Sequence, residues 1–175
     1  MTGIEENTFN EFHKMTLRLL KILAALSEGQ INSSPNKGCS PGQLGEHLLK
    51  SYTSADTLNG KTKRTNRPMG QKLGPVKTLF LDTSIKMDSP EAILPTQERI
   101  IKKDLIEALK DRVEQIKEVI KNKDLSLTCT DFSIPEYGEF TRYEWIWFNI
   151  YHTHRHILQL ENMRVLSSNK DVQSK

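Results

Sequence analysis

Cysteine is scarce in this 175-residue chain: Cys39 and Cys129 are the two present, far apart and in no CxxC motif. A disulfide framework and a structural zinc ribbon are therefore not expected. Long apolar runs are lacking too. The best one, Leu19 to Leu26, is short and interrupted by Lys21, and the opening Met-Thr-Gly-Ile-Glu-Glu is acidic. Neither a membrane span nor a signal peptide is supported, and a cytoplasmic location is the expectation. There is no GxSxG elbow, P-loop or GxGxxG, so nucleophile-elbow hydrolysis and the common nucleotide-binding loops have no motif to stand on. The basic residues Lys61, Lys63, Arg64, Arg67, Lys72 and Lys77 have no acid and no aromatic residue among them, but Gly60, Pro68, Gly70, Gly74 and Pro75 accompany them. That composition reads as a solvated loop rather than a nucleic-acid patch.

What is present is an ordinary globular balance, 36% hydrophobic and 27% charged, which suits one folded domain over 1–165 with a polar tail at 166–175. Apolar residues recur at threes and fours from Asn7 to about Glu28, predicting a first helix stopped by Gly29. Ser40-Pro41-Gly42-Gln43 has the capping-box pattern with proline at the first helical position, predicting a second helix that carries Leu44, His47, Leu48 and Tyr52. Ile100 to Ile120 forms a long amphipathic stripe within a third helix expected over 96–121. Thr141-Arg-Tyr-Glu144 repeats the capping logic and starts a fourth helix to about Met163. Val76 to Leu81 is expected to make a short helical turn, and Leu125 to Phe132 is read as connector because no second strand is evident. The fold expected is all-α, a four-helix bundle with a long irregular connection between helices two and three.

Three of the five histidines lie in Tyr151-His-Thr-His-Arg-His156. At about 100° per residue, His152 and His156 are offset by about 40° and their rings can converge, whereas His154 lies about 200° round and faces elsewhere. The stripe bearing the pair also holds Trp145, Phe148, Asn149, Gln159 and Met163. Buried imidazoles need partners, and two readings stand: core-edge histidines hydrogen-bonded to backbone or to Asn149 and Gln159, or two ligands of a metal. His47, on the apolar face of the second helix, is the candidate third ligand. His13, between Phe9 and Thr16, is the reserve and reads as structural. Three neutral imidazoles with a fourth position left to water suit an open site for a divalent first-row metal, zinc or nickel foremost.

The segments Phe140-Thr-x-x-Glu144-Trp145 and His152-Thr-x-x-His156-x-x-Gln159-Leu160 resemble the last helix of the DinB/YfiT-like metal-binding four-helix bundles, nearest to a branch usually labelled a domain of unknown function. Glu46-His47-Leu48 is similar to that family's second helix. The resemblance implies metal ligation by His47, His152 and His156, with Gln159 near the site; Asn149 and Trp145 are placed to support it or meet a substrate. Arg155 departs from relatives that carry a histidine just before the last ligand. The motif is not the zinc-protease HExxH, since Thr153 stands where the glutamate would be. Two functions are therefore expected as alternatives. One is metal-dependent hydrolysis or S-transfer on a small molecule, with a low-molecular-weight thiol as candidate substrate. The other is a non-catalytic, metal-stabilised interaction module. No nucleic-acid or membrane partner is expected, and a homodimer through exposed helix faces is an open alternative.

Overall fold

The computed structural model describes residues 3–34 and 38–173, with side chains as far as 163. The chain is mostly helical: α1 Gly3–Ala24, α2 Glu28–Ile31, α3 Pro41–Ser51, α4 Ser54–Asn59, α5 Leu73–Leu81, α6 Lys102–Asn122 and α7 Arg142–Gln173, with a 3-10 turn at Glu91–Ile93. Two short strands, β1 Thr62–Lys63 and β2 Thr128–Cys129, pair antiparallel, Thr62 opposite Cys129 and Lys63 opposite Thr128. The long helices α1, α3, α6 and α7 pack on one another, and α5 lies along α7. Their inward stripes, among them Phe12, Leu19 and Leu23 of α1, Leu48 of α3, Leu109, Ile116 and Ile120 of α6 and Ile146 and Ile157 of α7, build one buried core. Among the described residues, no helix is long and apolar enough to cross a membrane.

The helix starts follow the capping logic read from the sequence. Ser40 Oγ accepts from the Gln43 amide at 3.2 Å while Gln43 Oε1 accepts from the Ser40 amide at 2.9 Å, and Pro41 opens α3. At α7, Thr141 Oγ1 accepts from the Glu144 amide at 3.1 Å and Glu144 Oε2 from the Thr141 amide at 3.0 Å. Each box satisfies two amides that would otherwise lack partners at a helix terminus.

Several expectations are corrected. The first helix ends at Ala24, and Gly29 does not stop it but sits inside α2, which Ser27 starts with its own capping box to Gln30. The third helix begins at Lys102 rather than Thr96, because Ile100 is held in irregular backbone by Asn32, whose Oδ1 accepts from the Ile100 amide and whose Nδ2 donates to its carbonyl. α7 continues past Met163 to Gln173, with no glycine or proline to end it; residues 174–175 of the expected tail lie outside the described residues. The connection between α3 and α6 is not irregular throughout, since it holds α4, β1 and α5, and its β1 supplies the partner that makes Thr128–Cys129 a strand.

The basic stretch is only partly solvated. Arg67 clamps Glu144, which is fully buried, with Nη1 to Oε1 at 2.6 Å and Nη2 to Oε2 at 2.7 Å, and the Lys72 amide donates to the same carboxylate at 2.9 Å. Lys72 Nζ donates to the Tyr137 and Glu139 carbonyls. Glu144 therefore both caps α7 and fastens the connection to it, a bidentate geometry that only arginine offers.

Candidate metal centre

α3 and α7 bring three imidazoles to one point. His47 Nε2 lies 3.0 Å from His152 Nε2, and His156 Nε2 lies 2.9 Å from the same atom. The rings meet edge to face, with centroids 4.6 to 4.9 Å apart. One turn of α7 separates His152 from His156 and puts them on one face. His47 comes from α3, the helix laid against α7, on the face that buries Leu44, Leu48 and Ser51.

Every opposite ring nitrogen is already engaged. His47 Nδ1 donates to the Ile93 carbonyl at 2.9 Å, and His156 Nδ1 donates to Gln159 Oε1 at 2.6 Å. His152 Nδ1 bonds Ser51 Oγ at 3.1 Å. A carbonyl and an amide oxygen only accept, so the protons of His47 and His156 sit on Nδ1 and their Nε2 atoms are bare lone pairs. His152 Nε2 holds at most one proton and can satisfy one neighbour. At least one pair of lone pairs thus faces inward without a hydrogen, an arrangement that a cation resolves. Tying the outer nitrogen to an acceptor is also how metal-ligating histidines are held in tautomer and orientation.

The electrostatics favour ligation. Burial pushes the His152 imidazole well below its ordinary value, helped by the charges of His156, His47 and Arg155. Burial lowers His156 to about 4, with His47 and Arg155 adding to it and Gln159 opposing. His47 is lowered too, by burial and then by Lys50, against the Ile93 bond. All three are neutral at pH 7, the form that binds metal. A tetrahedral ion with bonds of 2.0–2.1 Å needs ligand nitrogens about 3.4 Å apart, and the three ligand atoms already lie within 4.8 Å of one another, with the two pairs through His152 at 3.0 and 2.9 Å. The three residues fit a divalent metal.

The other residues singled out from the sequence fall as follows. Gln159 is beside the site through His156. Asn149 is fully buried but turns its Nδ2 to Ser54 Oγ at 2.8 Å, and Trp145 packs among Phe132, Phe140 and Phe148. His154 is half-buried, off the ligand face. His13 is exposed and stacks on Phe9, not on the apolar side, because the buried stripe of α1 runs through Thr8, Phe12, Met15 and Leu19. Three contributors were not foreseen. Ser51 stands four residues after His47, a spacing that placed it on the same face. Phe80, on α5, covers His152 with ring centroids 5.0 Å apart. The Ile93 carbonyl is a backbone atom with no residue type to signal it.

No curated protein and no solved structure matches the chain. The profile of the DinB superfamily matches residues 11–160, a span that includes α3, most of α7 and all three converging histidines, and on that match the chain belongs to the DinB superfamily.

Proposed function

We propose that this protein is a metal-dependent enzyme whose four long helices form a DinB-type four-helix bundle around one divalent ion, zinc or nickel, held by His47, His152 and His156. The observation that carries this reading is the convergence of three Nε2 atoms whose partner nitrogens are all engaged elsewhere, two of them on pure acceptors. When bound, a divalent ion held by three neutral imidazoles supplies Lewis acidity that makes hydroxide or thiolate available near neutral pH. Hydrolysis or S-transfer on a small molecule follows from that chemistry.

The chain's own residues prepare the site. Ile93, Ser51 and Gln159 fix the ring orientations, and burial keeps the rings unprotonated. Phe80 and Phe148 exclude water from the flank of His152. Thr153 does not replace the missing glutamate as a base: its hydroxyl donates to the Asn149 carbonyl at 2.6 Å and contacts the Tyr52 hydroxyl at 2.5 Å.

A second reading, a metal-stabilised module without catalysis, is favoured by the small exposure of the rings, 5% for His47 and His152 and 9% for His156. Elemental analysis of untagged protein, wild type and His47→Ala, His152→Ala, His156→Ala and His154→Ala, tests the metal. One ion per chain, lost in the first three variants and kept in the last, is expected. No ion in any form after reconstitution with zinc or nickel would sink both readings. A screen of thiols and esters then separates them: turnover that follows metal content supports the enzyme, and a melting temperature that follows metal content with no turnover supports the module.

A further inference from the structure

The rings are nearly closed off, and the segment from Asp82 to Arg99 meets the cluster where the Ile93 carbonyl bonds His47. Its ends are firm: Phe80 is buried before it, and Ile100 is buried after it and clasped by Asn32. Between those anchors most side chains are exposed, and the only regular structure is the turn Glu91–Ile93. The segment is held less by apolar burial than by hydrogen bonds, and these come from the two helices that carry the histidines. From α7, Arg155 donates to the carbonyls of Phe80, Asp82 and Ile85. From α3, Lys50 Nζ donates to the Leu94 carbonyl at 2.6 Å, His47 to Ile93, and Gln43 Nε2 to Thr96, while Glu46 Oε2 accepts from the Thr96 amide at 2.7 Å.

Two of those latches are full positive charges spent on neutral carbonyls. Lys50 also has Glu46 at 3.3 Å, and the Asp82 carboxylate is near enough to Arg155 to feel its charge, yet the hydrogen bonds of Arg155 go to carbonyls. Both cations are near enough to the imidazoles to lower their proton affinity. A cation gains more from a carboxylate than from a peptide oxygen. Three uncharged ligands also leave a bound divalent ion its whole charge. Whatever reaches this centre therefore meets three positive groups.

We propose that the segment Asp82–Arg99 is a strap latched by Lys50 and Arg155, and that a small molecule bearing a carboxylate opens it by taking those two cations from its carbonyls. A ligand moves such an equilibrium by binding the open form better, and a segment held by few apolar contacts is the kind that opens locally. The strap half stands on its geometry alone, and the anion half rests on the metal reading above.

Two experiments on the full chain test it. The first needs no metal: trypsin cleavage after Lys86, an exposed strap residue, is timed for wild type, Lys50→Gln, Arg155→Gln and the double variant. About tenfold faster cleavage for each latch removed is expected, with thermal unfolding recorded so that a variant that fails to fold is set aside in favour of the other. Unchanged cleavage in the folded variants overturns the latch. The second uses the cobalt(II)-loaded chain, with metal content checked after gel filtration, titrated with thioglycolate and with 2-mercaptoethanol and followed by the thiolate-to-cobalt absorption. Wild type is expected to bind thioglycolate at least tenfold more tightly, and the double variant no more than twofold. Equal affinities in wild type, or a preference kept in the double variant, overturn the anion half. A chain that takes up no cobalt refutes the metal reading and the anion half with it, while the cleavage rates still decide the strap.

Discussion

Acid should weaken the metal-free chain well before its carboxylates protonate. His156 titrates at about 4 in the folded protein against 6.5 unfolded, so the unfolded chain takes up a proton that the folded chain refuses. Stability from this source is fully present above about pH 6.5 and is lost as pH falls toward 4. At 1.36 kcal/mol per pH unit, the ring of His156 costs about 2 kcal/mol at pH 5 relative to pH 7. His152, held well below its ordinary value by burial and its neighbours, and His47, lowered by burial, add costs of the same sign. Even the contribution of about 2 kcal/mol from His156 alone is a substantial part of the 5–15 kcal/mol that holds most domains together. Asp82 and Asp124 are lowered by bonds from Ser84 and Ser126, so their contribution is lost only below the ordinary carboxylate value of about 3.9, outside this window. Urea unfolding followed by circular dichroism at pH 7, 6 and 5, with His152→Gln/His156→Gln as reference, measures the effect. Stability that is flat or rising between pH 7 and 5, or an equal slope in the double variant, would refute the reasoning.

Glu144→Ala removes both the α7 cap and the partner of a half-buried arginine, and should cost about 3 kcal/mol in chemical denaturation; Arg67→Ala in the same background should then add little, because the pair acts as a unit. Gly42→Ala would bring its Cβ within 2.9 Å of the Ile31 carbonyl, backbone that cannot yield, so a loss of about 1–3 kcal/mol is expected. Gly45→Ala meets the end of the Leu105 side chain at the same distance; that chain can turn aside and the helix gains propensity, so the melting temperature should change little. Ser51→Ala and Gln159→Leu leave the three ligands in place but free a Nδ1 atom, and should weaken zinc binding about 10- to 100-fold in competition with a chelator; unchanged affinity would mean the outer bonds do not orient the rings.

The parts of this fold that were legible are those in which neighbours in sequence decide. His152 and His156 declare themselves by a four-residue spacing, and the Ser40 and Thr141 boxes mark their helices within four residues. Ser27 and Gln30 form the same signal, and giving it more weight than Gly29 would have ended the first helix correctly. His47 was legible as a candidate from its helix face and from the resemblance at Glu46-His47-Leu48, but its meeting with His152, 105 positions on, shows only in the tertiary structure. The grip of Arg67 on Glu144 spans 77 positions and hides inside a stretch whose composition is that of a loop. β1 is two residues, too short for any alternation, and exists because β2 is beside it. The strap's contribution is made by carbonyl oxygens, which every residue has, so no residue type announced it.

The packing of α1 sets an order of events during synthesis. Its apolar stripe is covered by α6 and α7, and α6 begins only at Lys102, about 80 residues after α1 ends. At about 5–20 residues per second, roughly 4–16 s pass before the first of those partners is made. Over that interval the stripe of Phe12, Leu19 and Leu23 has only α3 and Tyr52 among its native neighbours, and two of the three histidines do not yet exist. A ribosome-bound intermediate of this chain is thus an amphipathic helix with most of its stripe uncovered, and the three-histidine cluster cannot form until α7 emerges.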